Sequence, residues 1–497
     1  MIHPTEDGQP IQASTLSAED LAALRVCWAT LAQLAQAMRA FRSGPITPLA
    51  MQELETDLQR LTRELGRVAL QDTLNSLEPD DPGLLPEEIT TAGTRYRRRF
   101  KSPCRVDSTF GTLSLRRWLY EPREAGERCL FPLELLLGLV AQAATPALAD
   151  RVGRLVAVHP QRAVLRLLKE DNGLKWSHSL LRKVSAEVAA IISGNREAAQ
   201  IKQVLGWLKQ AYRSRGPHDP VLAVGRDGVM VPICGQKPYQ EASVATMAVY
   251  DRNGKRLGTA YLACMPEALQ KKLSGQLTAL IKGVLQSWKG QLPVLVYLSD
   301  GGQTPEGYYQ EVLRKMRVPG RAGERLSWQR VLDYYHAAGY VAKLAEVLFG
   351  QGWQAERWSR RMRRVLKQAG GLTRVLQSAS YHRNQQDLQG KRMKAFWGAY
   401  HYLHKRRRQM DYAQYKAKGL PIGSGVTEAG CKVVASQRLK LSGMKWEHPG
   451  GQTVLDLRVV CLSGAWADAW LSHIAEPVSL NLDTYEACLH PILAAAA

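Results

Sequence analysis

Apolar positions recur at three- and four-residue spacing through the first 80 residues. Ser17-x-x-Asp20 reads as a capping box that opens a helix running to about Ala40, and Gly44-Pro45 breaks it. A second helix carries Met51, Leu54, Leu58, Leu61, Leu65 and Val68, a heptad seam of about two and a half repeats. Such a seam either closes a helical hairpin on itself or pairs two copies of the chain. Asp80-Asp81-Pro82-Gly83 is a linker. Beyond it, alternation over Arg95–Lys101 and Gly111–Tyr120 predicts short strands.

From Pro132 to about Gly194 the pattern turns helical, with Ala147–Val156, Arg162–Glu170 and Ser177–Ile192 as predicted helices. A tight turn at Asn172-Gly173 precedes the last of them, the spacing of a helix-turn-helix. Val221–Pro232, Ser243–Tyr250 and Arg256–Cys264 then read as strands, the last two flanking the hairpin signal Asn253-Gly254. An amphipathic helix over about Pro266–Trp288 leads to Pro293–Leu298, a near-continuous apolar run expected to be a buried strand. Residues 301–418 read as helical throughout. Three strands, a helix and a fourth strand match the front of an RNase H-like fold.

Composition narrows the class. The 497 residues suggest about three compact units, and 45% hydrophobic with 23% charged residues is ordinary for a globular protein. Eight cysteines without a CxxC pair argue for reduced thiols and against a disulfide scaffold or zinc cluster. The longest mostly apolar charge-free run, Leu135–Ala149, is 15 residues, short of the roughly 20 a spanning helix needs. The first residues lack the basic and apolar regions of a signal peptide. A soluble, cytoplasmic chain with no membrane partner is expected.

Charge is more telling than composition. Residues 1–94 hold 6 Lys+Arg and 14 Asp+Glu, so the net +22 of the chain is −8 here and +30 over the rest. That excess points to a polyanion, most simply nucleic acid. The stretch 351–410 alone carries 15 Lys+Arg against Glu356 and Asp387, interleaved with Trp353, Trp358, Tyr381, Trp397 and Tyr402. Arg360, Arg361, Arg364, Arg406 and Arg407 are the candidate backbone contacts in it. Arg97, Arg98 and Arg99, beside Tyr96 and Phe100, form a second candidate grip. Ser177, His178, Arg182 and Lys183 open the predicted recognition helix, where base edges would be read.

Three acids stand where chemistry is expected. Asp227 and Asp300 each precede a glycine at a strand end, and Glu428 follows the glycine-rich Pro421–Gly425 at the start of a predicted helix, Thr427–Leu441. Carboxylates meeting at one sheet edge can hold two Mg²⁺ ions for phosphoryl transfer. Asp333-Tyr-Tyr-His336 puts an acid and an imidazole on one helix face.

Asp227-Gly, Ser299-Asp-Gly301, Leu332-Asp-Tyr-Tyr-His336, Gly419-Leu-Pro-Ile-Gly-Ser-Gly-Val-Thr-Glu-Ala-Gly-Cys-Lys432 and Arg438–Trp446 together resemble bacterial insertion-sequence transposases of the ISKra type, distant relatives of the Mutator-like superfamily. The likeness runs in order from about residue 95 to 470 and is strongest over 419–446. It implies a DDE transposase with an RNase H-like core interrupted by an all-helical insertion, Gly301–Thr427. Asp227, Asp300 and Glu428 would bind two Mg²⁺ (or Mn²⁺) ions, and His336 would lie near the active site and orient DNA. Lys432, Arg438 and Lys440 would contact DNA. The family's CxxC knuckle reduces here to Cys129, so zinc is not expected.

The expected class is thus α+β and multidomain. The segments are a helical hairpin and candidate dimerisation element (1–80), a degenerate zinc-ribbon-like β segment (81–126) and a helix-turn-helix-like domain (127–215). The core would occupy 216–300 and 428–470 around the insertion 301–427, with a tail over 471–497. The expected partners are terminal inverted repeats, target DNA and a second copy of the chain, in a nucleoid-associated bacterial protein. A nuclease of the same fold without strand transfer, and an inactive or domesticated DNA-binding relative, are the alternatives.

Overall fold

Ser17 opens the first described helix as its spacing predicts. Its Oγ accepts the Asp20 N–H at 3.0 Å while the Asp20 carboxylate accepts the Ser17 N–H at 2.9 Å. The computed structural model describes residues 17–91, 93–124, 126–235, 238–321, 323–386, 388–475, 485–486 and 488–489. The fold is mixed α+β and divides into two units. One comprises residues 1–155, 160–188 and 474–497, the other 156–159 and 189–473.

In the first unit the seam residues lie on one arm of a helical hairpin. Helices Trp28–Ser43 and Pro48–Ser76 form a hairpin in which Leu61 is buried and Met51, at the hairpin tip, is exposed. The second helix also lies on a three-stranded antiparallel sheet, β1 (Glu88–Thr91), β2 (Thr94–Ser108) and β3 (Gly111–Pro122). Gln71 and Asn75 accept the Ser114 and Arg116 backbone N–H groups and fix that docking. Helices Pro146–Val158 and Gln161–Asn172 follow, the latter ended by Gly173 at φ +71°.

The third helix of the predicted trio runs much further than Ile192, from His178 to Arg213. The helical pattern is expected to end near Gly194, yet an isolated glycine costs a helix only about 1 kcal/mol. Burial of Val204, Leu208 and Ala211 in the second unit's core outweighs that. The division between the units falls within this helix, after Val188, so the 127–215 segment spans both.

The second unit is built on five strands in the order β6-β5-β4-β7-β8. β4 (Val221–Pro232), β5 (Tyr239–Tyr250) and β6 (Arg256–Cys264) are antiparallel neighbours. β7 (Val294–Ser299) and β8 (Trp328–Leu332) add in parallel on the other side of β4. Helix Lys271–Ser287 crosses one face and buries Leu273, Leu277, Leu280 and Val284 in the core with β5, β6 and β7. The opposite core joins Val296, Leu298 and Val331 to the helices between Tyr334 and Ala417.

β8 corrects the expectation of an unbroken helical segment from residue 301. The segment begins helical, at Gln303–Glu311, but residues 328–332 form the fifth strand, so the all-helical stretch starts only at Tyr334. Trp328, Val331 and Leu332 are buried without strict alternation, and the next helix starts two residues later, so the strand merges into a helical apolar pattern. Among the described residues no helix is long and apolar enough to cross a membrane.

Candidate active site

Parallel pairing of β4 with β7 sets two acids side by side. The last register pair is Gly225 with Leu298, so Asp227 and Asp300 each lie two residues beyond it on neighbouring strands. Adjacent strands are about 5 Å apart, which puts both residues at one level, but only Asp300 stands at a strand end as expected; Asp227 lies within β4, which stays paired with β5 as far as Pro232. Each is locally fixed: the Asp227 carboxylate accepts the Gly228 N–H at 2.8 Å, and that of Asp300 accepts the Gly302 N–H at 2.8 Å. Gly301 between them takes φ +73°, the conformation that turns the chain off β7.

Glu428 arrives on a helix laid over β4 and β5. This helix runs from Gly425 to Leu439 with a π-helical stretch at Cys431–Ser436, a distortion frequent at functional sites. Thr427 bonds Thr246 of β5 through their hydroxyls at 2.9 Å. A Cβ on Gly225 would lie 2.2 Å from the Thr427 Oγ1, so only glycine permits this approach. Glu428 is exposed, and its Oε1 accepts the Ser424 hydroxyl at 2.9 Å.

Asp227 feels the other two acids. Burial first, and then the charges of Asp300, Glu428 and Glu241, push the Asp227 carboxyl from 3.8 up to about 6, against the opposing Gly228 hydrogen bond. Burial, followed by the charges of Asp227 and Glu428, likewise raises the neighbouring Cys431 thiol. Glu241 is a fourth acid that the sequence reading missed. Its Oε1 lies 2.0 Å from where a Cβ on Gly228 would stand, and it accepts Gln270 Nε2 at 3.1 Å. Gln270 in turn accepts Arg226 at 2.6 Å. Among the described residues, no group of three or more His, Cys, Asp or Glu side chains is placed to hold one metal ion jointly.

Asp333 and His336 do not project together. Asp333 is 1% exposed, and its carboxylate caps the helix Tyr334–Phe349 by accepting the His336 backbone N–H. The exposed His336 ring lies instead beside Tyr340 and Tyr402, at centroid distances of 5.7 and 6.0 Å.

The candidate DNA-contacting residues separate by what already holds them. Arg97 pairs with Glu87 and Arg99 with Glu121, and Arg98 donates to the Leu85 and Pro86 carbonyls. Tyr96 is buried and unable to stack on a base. Ser177 caps its helix through the Leu180 N–H, and Lys183 donates to the Ala141 carbonyl, while His178 and Arg182 are exposed. Arg406 donates to the Gly301 carbonyl at 2.6 Å and stacks on Tyr402. Arg407 donates to the His404 carbonyl.

Arg438 is a correction. It is 0% exposed, donates to the Val156 carbonyl and lies over Trp446, so it packs the interior and reaches no DNA. Lys432 and Lys440 are exposed, as are Arg360, Arg361 and Arg364 on the helix Trp353–Leu366. No protein-family model and no curated protein sequence matches the chain.

Proposed function

We propose that the chain is a DNA transposase of the DDE type, acting through Asp227, Asp300 and Glu428. One observation carries this reading: two acids at one level on adjacent parallel strands, Asp227 within β4 and Asp300 just past the end of β7, with a third on a helix beside them, and the first raised to about 6 by burial and then by the others' charge. The strand order β6-β5-β4-β7-β8, antiparallel on one side of β4 and parallel on the other, supports an RNase H-like core. In that core β8 is the fifth strand and the helices from Tyr334 onward are the insertion.

The donor set fits a divalent ion such as Mg²⁺, because packed carboxylates relieve their repulsion by sharing a cation. Mg²⁺ takes one or two protein carboxylates per ion and fills the rest of its shell with water and substrate phosphate, so no three-residue cage is required. Bound there, it would supply charge neutralisation and activation of a water or 3′-hydroxyl. The chain's own residues do the positioning. Thr427 with Thr246 and Ser424 set Glu428, and the Gly302 N–H sets Asp300. The exposed arginines of the helix Trp353–Leu366 would hold phosphate backbone.

Bringing two element ends together calls for two copies of the chain on DNA, so a homodimer is part of the proposal. Supplying pre-cleaved element ends, a target plasmid and Mg²⁺ tests the reaction. Joined products are expected from wild type and none from Asp300→Asn. Hydrolysis without joining would make the chain a nuclease, and binding without either would make it a DNA-binding relative.

A further inference from the structure

Two of the three proposed acids are held by groups from outside their own loops. Asp333 stands between β8 and the helix Tyr334–Phe349, fully buried, with its carboxylate also accepting the Ser424 backbone N–H. Ser424 then passes its hydroxyl to Glu428. The same junction makes two more ties: the Asp333 N–H donates to the Ser299 carbonyl and the Tyr334 N–H to the Ile422 carbonyl, both at 2.9 Å. Ser299 is the residue before Asp300. One turn of chain therefore grips the approach to Glu428 and the end of the strand that delivers Asp300.

The far end of the helical stretch grips Asp300 from the other side. Helix Gly390–Lys405 presents Tyr402, whose hydroxyl donates to the Asp300 carbonyl, and Arg406 follows with its bond to the Gly301 carbonyl. Tyr402 stacks flat on Tyr340 of the first helix at 3.6 Å between centroids. The first and fourth helices after β8 are thus locked to each other and to both acid-bearing loops.

We infer that Asp333 and Tyr402 are positioning residues: the helical segment is the frame that sets the spacing of Glu428 and Asp300, Asp333 acting through Ser424 and Tyr402 through the Asp300 carbonyl. This rests on the transposase reading of the three acids and deepens it. Asp333 is assigned to the frame and not to the ion because it is fully buried, with each oxygen turned to a backbone N–H. Its charge strengthens those bonds, which an amide in its place would halve in number.

The test is Mn²⁺ binding to the full-length chain without DNA, followed by paramagnetic resonance of the free ion. Asp333→Asn is expected to raise the Kd roughly 10–100-fold, the usual cost of losing an outer partner of a metal site. Ser424→Ala should raise it less, and Ser424→Thr should restore it by returning the hydroxyl. In a Glu428→Gln background Asp333→Asn should produce no further loss, because its route to the ion has been removed. An equal loss in that background, or an unchanged Kd in the single variant, overturns the inference. If Asp333→Asn fails to fold by circular dichroism, the half-buried Ser424→Ala decides, and an unchanged Kd there overturns it. Tyr402→Phe with and without Asp300→Asn runs the same comparison for the second arm. A wild-type chain that binds no Mn²⁺ would overturn the transposase reading together with this one, whereas normal wild-type binding with silent variants removes only the frame.

Discussion

Removing the charge of Asp227 should stabilise the protein while destroying its activity, and the stabilisation should depend on pH in a specified way. Folding lifts this carboxyl from 3.8 to about 6, chiefly by burial and then by the charges of Asp300, Glu428 and Glu241. At about 1.4 kcal/mol per tenfold change, the rise opposes the ionised form by about 3 kcal/mol. Below pH 3.8 the group is protonated in both states and contributes nothing. Between 3.8 and 6 the folded state holds the proton more tightly, so stability falls as pH rises. Above 6 the full penalty is present. Asp227→Asn keeps a polar group in the same half-buried place and so recovers only part, roughly 1–2 kcal/mol. For domains of 150–250 residues that corresponds to roughly 3–6 °C. Melting curves of wild type and variant should coincide near pH 4, diverge through pH 6 and stay apart at pH 8, with cleavage absent in the variant. Millimolar Mg²⁺ should raise wild type toward the variant at pH 8. A gap of constant size from pH 4 to 8 would mean that folding does not raise the Asp227 carboxyl and would refute the reasoning.

Gly225→Ala should shift the Glu428 helix, because its Cβ would meet the Thr427 Oγ1 at 2.2 Å, and the expected result is loss of cleavage with a destabilisation of about 1–3 kcal/mol by denaturant titration. Neutralising Arg360, Arg361, Arg363 and Arg364 to Gln should reduce the slope of log K against log salt by up to about 3–4 in DNA binding. Arg438→Met should leave that slope untouched and cost little stability, since Nη1 and Nη2 of this buried guanidinium have no hydrogen-bond partner. In the first unit Glu78 is 2% exposed and pushed up to about 7, by burial first, although Tyr485 and the Trp118 N–H bond to it. Its penalty builds between pH 4.5 and 7, so Glu78→Gln should melt higher than wild type at pH 8 and alike at pH 4.5.

Asp227 and Asp300 were legible because each ends a short apolar run with a glycine after it, a local signal. Their adjacency was not, since it depends on parallel pairing between strands some 70 residues apart, which no local pattern encodes. Glu241 left a fainter trace. It opens β5 among polar residues, before the apolar alternation that marked the strand, and only the β4–β5 register places it opposite Met230. Asp333 and His336 have the spacing that puts them on one helix face, yet their side chains do not project together. At the N-cap, an aspartate's nearest donor is the backbone N–H three residues on, so the carboxylate serves the helix end before it serves a neighbouring side chain. Buried Arg438 failed for a similar reason: in sequence it looks like any other base in a basic block, and only tertiary packing tells a guanidinium in the core from one in water.

Basic composition therefore has to be divided by what each charge already touches before it says anything about DNA. Arg97 and Arg99 are neutralised by Glu87 and Glu121, Arg98, Lys183 and Arg406 are spent on backbone carbonyls, and Arg438 is enclosed. An exposed charge already paired gains little from a phosphate, because the new contact must first displace the old one. By contrast, Arg360, Arg361, Arg363 and Arg364 are exposed, and among the described residues none has a side-chain ion pair or hydrogen bond. They stand on the helix that packs against Tyr334–Phe349, whose first residues grip the Glu428 loop. Counterion release would thus draw a polyanion to the same helical frame that spaces the acids, and the salt slope and the Mn²⁺ affinity become readouts of two faces of one element.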